Sequence, residues 1–205
     1  MYFFKYLMNR TEHPTDTNQY NTLPYFVWEK AIEDQSLLTF VNEYPFEWTP
    51  AEIGGVEPRI DKKIRNHDNA WIEYNEATDS LFEALHKPIE SINFWHYNYV
   101  LWSMDDLQVG KFEKNSMYVM HNDRAVWPDR SERKLSVIMG LTSEDQYKGG
   151  EINLMTTGYP KHKQTVRLNR GDVLVFPTWV PYEIKPVEEG TMQLLSTWVY
   201  GPKFV

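Results

Sequence analysis

His121-Asn122-Asp123 places an imidazole and a carboxylate two residues apart, behind the strand-like Tyr118-Val119-Met120. On an extended segment residues i and i+2 point to the same face. A His and an Asp so arranged supply two of the three protein donors of a 2-His-1-carboxylate site, the arrangement that holds non-haem Fe(II) with open positions. The chain has no cysteine, so thiolate ligands, thiol nucleophiles and disulfides are excluded. His13, His67, His86 and His96 precede the pair and His162 follows it. None of them stands at ligand spacing from it.

The elements that must position this pair change character along the chain. Residues 25–27 read as a short strand. Ala31, Leu37, Leu38, Phe40 and Val41 fall at roughly helical spacing up to Tyr44. Pro45, Pro50 and Gly54-Gly55 mark a loop. Leu81, Leu85 and Ile89 repeat every four residues, with Phe82 on the same face, which predicts a helix over about 76–91. Pro88 falls inside it and predicts a kink or an early stop.

Beyond residue 93, β-branched and aromatic segments recur between turn signals, at 94–102, 107–112, 116–121, 134–141, 150–155, 164–168, 172–177, 182–187 and 192–200. Gly149-Gly150, Asn169 to Asp172 and Glu189-Gly190 supply the turns. Many short strands at this spacing predict a barrel or sandwich. The expected fold is α+β: a double-stranded β-helix, or cupin-like jelly roll, with N-terminal supporting helices. Residues 1–205 are read as one domain, with helical support over about 25–93 and the jelly-roll core over about 94–205.

Composition narrows the function classes. A chain of 205 residues that is 15% aromatic can bury a sizeable core. A formal charge of −8 argues against nucleic acid or an anionic membrane surface as the main partner. Met1 to Met8 is interrupted by Lys5 and is too short for a signal core or a membrane span. It reads instead as an arm that packs on the body, followed by a polar loop over 11–21. A cytoplasmic location fits the absence of cysteine.

Six motifs in order carry a family resemblance. They are Leu107-Gln108 with Phe112, Tyr118 to Asp123 (Y-x-x-H-x-D), Arg133-Lys134-Leu135-Ser136, Tyr147 to Ile152 (Y-x-G-G-E-I), Gly171 to Pro177 (G-D-x-x-x-F-P) and Trp198 to Pro202 (W-x-x-G-P). In these the chain resembles the prolyl 4-hydroxylase-like 2-oxoglutarate/Fe(II) oxygenases, near the bacterial and phage PKHD-type hydroxylases. The resemblance spans about 25–204 and is strongest from Leu107 onward. It implies a jelly roll, Fe(II) as cofactor, 2-oxoglutarate as co-substrate and ascorbate as reductant. It also implies metal ligands at His121 and Asp123, and a co-substrate pocket touching Tyr118, Lys134 and Trp198. A phage source would place the protein in the host cytoplasm.

Two positions depart from that pattern. The family continues H-x-V-x-P-V-x-x-G-x-R, whereas this chain has Tyr182-Glu183-Ile184-Lys185-Pro186-Val187-Glu188-Glu189-Gly190-Thr191-Met192. Tyr182 thus stands where the second metal His belongs, and Met192 where an Arg would hold the distal carboxylate of 2-oxoglutarate. A phenol, with an ordinary pKa near 10, is a poor neutral-pH ligand, and Met192 donates no hydrogen bond. Lys134 and Lys111 are the candidate replacement cations. Glu183, next to Tyr182, should face the other side of its strand.

Two functions remain open. One is a dioxygenase that hydroxylates a prolyl or lysyl side chain of a protein or peptide, or a small molecule. The other is a catalytically silent binding module on the same fold. No nucleic-acid or membrane partner is expected, and the sequence leaves the oligomeric state open.

Overall fold

The computed structural model describes residues 1–3, 24–54, 58–129, 131–156 and 163–204. Two helices carry the N-terminal layer. Gln35–Glu43 begins where Asp34 caps it, its carboxylate accepting from the Ser36 amide at 2.8 Å. It buries Leu38 and Val41. Asp79–Ile92 buries Leu81, Phe82, Leu85, Ile89 and Ile92 along one stripe, the four-residue repeat seen in the sequence.

Pro88 does not end the second helix, which runs through it to Ile92. The chain then continues as one wide π-turn, Asn93–Tyr97, and stops at Asn98 in the left-handed conformation. Residues 94–102 therefore do not form the strand expected from their Tyr, Val and Trp content. Asn93 decides this locally. Its side chain donates to the Tyr99 carbonyl and accepts from the Tyr99 amide, both at 2.9 Å, closing a loop that a strand cannot accommodate.

Two antiparallel sheets make the jelly roll. The larger runs in the order Phe26–Trp28, Val173–Pro177, Ser131–Gly140, Met192–Pro202, Leu107–Phe112, Asp68–Ile72, Thr49–Pro50. The smaller runs Lys163–Val166, Ile152–Met155, Tyr182–Ile184, Met117–His121, Arg65–Asn66. At the N-terminus Tyr2–Phe3 pairs with Ser103–Met104, and the Tyr2 ring is buried, so the described start of the chain packs on the body. The polar stretch 11–21, like His13 and His162, lies outside the described residues.

Strand alternation divides the core in two. Val173 and Val175, with Leu135, Val137 and Met139, face the helices. Leu174, Phe176 and Ile138 face the smaller sheet, where Ile152, Leu154, Tyr182 and Ile184 meet them. A period of two is what places successive side chains on opposite faces of a strand. The helices back the larger sheet, and its other face closes against the smaller one, leaving a cavity at one end. Among the described residues, no helix is long and apolar enough to cross a membrane.

Candidate functional site

The cavity measures about 970 Å³ and is lined by His121, Asp123, Tyr182, Tyr118 and Trp198, five residues singled out in the sequence. His121 ends the strand Met117–His121 and lies directly across from Tyr182, its register partner on Tyr182–Ile184. The register slips between His121 and Tyr118, which faces Ile184. That irregularity matters. Two residues three apart on a regular strand face opposite ways, yet the bulge brings Tyr118 and His121 together, their rings stacked at 3.6 Å.

His121 is held in one tautomer. Its Nδ1 donates to the Val119 carbonyl at 2.8 Å. Nε2 is thereby turned toward Asp123. That atom is buried and has no hydrogen-bond partner. It stands 3.5 Å from Asp123 Oδ1, a separation that suits two ligands of one ion.

Asp123 lies just past the strand end, fixed by its amide donating to the Thr178 carbonyl at 3.1 Å. Ser136 Oγ donates to Asp123 Oδ2 at 2.7 Å. Burial raises the Asp123 pKa, but His121, Trp198 and Ser136 outweigh burial and hold the carboxyl below its usual range. Ser136 and Trp198 are register partners on adjacent strands, which is why both reach the same carboxylate.

Tyr182 completes the cluster without completing a ligand set. Its ring is 4.3 Å from that of His121 and meets Phe176 edge-on at 5.0 Å. Burial first, and Asp123 and Tyr118 next, push its hydroxyl well above the ordinary phenol value, so it is neutral at pH 7. Among the described residues no three His, Asp or Glu side chains converge on a point. His67 lines the cavity but stacks on Phe112 at 4.2 Å. His86 lies beside Tyr2 and His96 stacks on Phe26, both in the helical layer. The donor chemistry at His121 and Asp123 therefore fits a divalent metal, and the neutral Tyr182 phenol does not fit as its third ligand.

Three of the expected pocket residues lie elsewhere. Lys134 is buried away from the cavity, 3.8 Å from Glu132 and over the Phe204 ring at 3.1 Å. The cause is a bulge: Leu135 pairs with Val199 and Arg133 with Tyr200, so Lys134 is skipped and strand parity breaks. Arg133 takes the cavity position instead. Lys111 pairs with Asp68 and Glu113. Met192 is fully buried in the apolar cluster with Phe112 and Val187, and Ile184 and Leu194 form the wall there. Glu183 does face away, accepting from Lys163 at 2.7 Å and Asn153 at 2.9 Å.

Sequence reasoning gave no role to Arg65, which lines the cavity from the edge strand Arg65–Asn66. Arg65 is the register partner of Tyr118, and its guanidinium lies 4.8 Å from that ring. Nothing in the local sequence Lys62-Lys63-Ile64-Arg65 separates it from its neighbours. Ser136 lay within a recognised motif, but its bond to Asp123 shows only once the strands pair.

Comparison with known proteins places this geometry. Residues 107–200 match the model of the 2OG-Fe(II) oxygenase superfamily. This part of the chain is similar to that family. The chain is 27% identical over 94 residues to a PKHD-type hydroxylase of Aliarcobacter butzleri, covering 43% of this chain and 40% of that protein. It is 30% identical over 98 residues to one of Xylella fastidiosa, covering 43% and 41%. The matches thus span about two fifths of those relatives' length.

Solved structures cover more. A prolyl-4-hydroxylase of Pseudomonas putida superposes with a TM-score of 0.63 at 19% identity, over 90% of this chain and 95% of its own. A prolyl hydroxylase of Trichoplax adhaerens, in complex with a hypoxia inducible factor peptide fragment, gives 0.65 at 19%, over 89% and 86%. These likenesses fix the fold as the jelly roll of prolyl hydroxylases.

Proposed function

We propose that this domain is a 2-oxoglutarate-dependent hydroxylase whose metal is held by His121 and Asp123 alone. One observation carries the reading: a buried, unpartnered imidazole nitrogen stands 3.5 Å from a carboxylate oxygen in a large cavity. Bound Fe(II) would activate dioxygen, one oxygen atom going to succinate as 2-oxoglutarate loses carbon dioxide and the other to the substrate C–H as a hydroxyl.

The chain's own residues prepare that chemistry. Val119 holds the His121 ring with Nε2 toward the metal position, and His121, Trp198 and Ser136 hold the Asp123 carboxyl below its usual range. Tyr118 and Tyr182 bracket His121 with aromatic rings that limit water around it. Trp71, Trp127 and Trp198 line the cavity and suit a substrate that presents an apolar ring. A prolyl side chain of a protein or peptide fits that description, in line with the prolyl hydroxylases of the same fold, and ascorbate would serve as reductant.

Tyr182 and Met192 favour a second reading. A domain lacking a third anionic or imidazole donor, and a charge at Met192, could retain the cavity as a binding module without turnover. The experiment is direct. Purified protein with Fe(II), ascorbate, 2-oxoglutarate and proline-rich peptides should release succinate. No succinate with any metal, while 2-oxoglutarate still binds, leaves the binding module.

A further inference from the structure

Three arginines line the cavity: Arg65, Arg124 and Arg133. Two are already matched with acids. Arg124 Nε donates to Glu132 Oε1 at 3.0 Å. Arg133 lies 3.6 Å from Asp105 Oδ2 and is flanked by the Trp198 ring at 4.0 Å and the Trp127 ring at 5.4 Å. Arg65 has no carboxylate partner among the described residues. Its terminal nitrogens donate to the Glu52 carbonyl at 2.8 Å and to Gln108 Oε1 at 2.6 Å, with His67 Nε2 at 3.4 Å. Its Nε is buried and has no partner.

A guanidinium carries five donors in a planar fork shaped for carboxylate. Arg65 is held by neutral acceptors on one side, keeps an unused buried donor and faces a cavity. Such a group is preorganised for an anion that the protein itself does not provide. Arg65 and His121 both contact the Tyr118 ring, so the cation lies within one side-chain ring of the metal pair. Gln108 orients the fork, and Gln108 stands on the strand Leu107–Phe112 of the larger sheet.

We propose that Arg65 is the cation of a carboxylate subsite built on the Arg65–Asn66 edge strand, and that it takes the distal carboxylate of a five-carbon 2-oxo diacid. The subsite rests on the hydroxylase reading for its ligand. It moves the anion contact from the buried, apolar Met192 on the larger sheet to Arg65 on the smaller one. Arg65 is a binding residue in this account, and Gln108 a positioning residue.

The test uses calorimetric titration of the Mn(II)-loaded full chain with 2-oxoglutarate and with 2-oxobutyrate, which lacks the distal carboxylate. The native protein should prefer the diacid by at least about tenfold, the scale of one charge-assisted contact. Arg65→Gln should abolish the preference while leaving 2-oxobutyrate binding unchanged. Arg65→Lys, which keeps the charge without the fork, should leave a reduced preference and serves if the Gln variant does not fold. An unchanged preference in both variants, or no binding of either acid, overturns the subsite. Succinate release separates the two proposals. Arg65-dependent diacid binding without succinate retires the hydroxylase and keeps the subsite. Succinate formed equally well by native and Arg65→Gln protein at limiting diacid retires the subsite and keeps the hydroxylase.

Discussion

Replacing Tyr182 by His should convert the proposed two-residue metal site into a three-residue one. The magnitude follows from protonation. Even at its ordinary pKa near 10, a phenol costs about 4 kcal/mol to deprotonate at pH 7, at about 1.4 kcal/mol per pH unit. Burial beside Asp123 makes that cost larger for Tyr182. A neutral imidazole needs no such step, and residue 182 already lies across the strand pair from His121. That cost keeps the native phenol from acting as a ligand, so Tyr182→His adds a donor and should tighten metal binding by at least about tenfold, the lower end of what even a group that only orients a ligand contributes. Tyr182→Phe should change it little, because the neutral phenol contributes no ligand. The assay is anaerobic calorimetric titration with Mn(II), with a thermal melt to confirm that each variant folds. The reasoning fails if Tyr182→Phe abolishes metal binding, which would make Tyr182 a ligand, or if Tyr182→His binds no tighter than the native protein.

Other perturbations have defined outcomes. Ser136→Ala removes the 2.7 Å hydrogen bond to Asp123, and metal affinity by the same titration should fall roughly 10- to 100-fold, as when other groups orienting a ligand are lost. Buried His67 has its pKa held down to about 3, by desolvation first and then by Arg65. The unfolded chain, with an ordinary value near 6.5, takes up that proton first, so stability falls as pH drops below 6.5. The loss should be about 2 kcal/mol at pH 5 in urea titrations, and His67→Gln should remove that part of the slope. Leu85→Ala opens a void in the fully buried helix face and should cost about 2–5 kcal/mol of unfolding free energy. Met192→Arg places a charge in an apolar cluster and should lower the melting temperature, since an unpaired buried charge costs several kcal/mol.

Much of the molecule is local information. The stripe Leu81, Leu85, Ile89 and the alternation of Val173 to Phe176 each specify an element and its buried face from spacing alone, because helical and extended chains repeat at fixed periods. His121 and Asp123 are legible for the same reason: two residues apart, their juxtaposition needs no long-range contact. Composition and the ordered motifs then point to the jelly roll.

What the sequence could not supply depends on register and on chain brought from afar. Strand parity puts Lys134 in the cavity, but a bulge opposite Val199 and Tyr200 turns it out and turns Arg133 in. The expected strand over 94–102 yields to a π-turn closed by Asn93. Ser136 reaches Asp123 only because Thr178 and Trp198 fix both ends of that contact. Arg65 is the clearest case. More than fifty residues before His121, and in a run of ordinary basic residues, it gains meaning only when its strand pairs with Tyr118 and its guanidinium is left facing the cavity. By itself the sequence determined most of the elements and the pairing of His121 with Asp123, because those rest on short-range periodicity. Which charge faces the cavity was decided by the tertiary structure, because a single bulge or a distant strand pairing reverses the direction in which a side chain points.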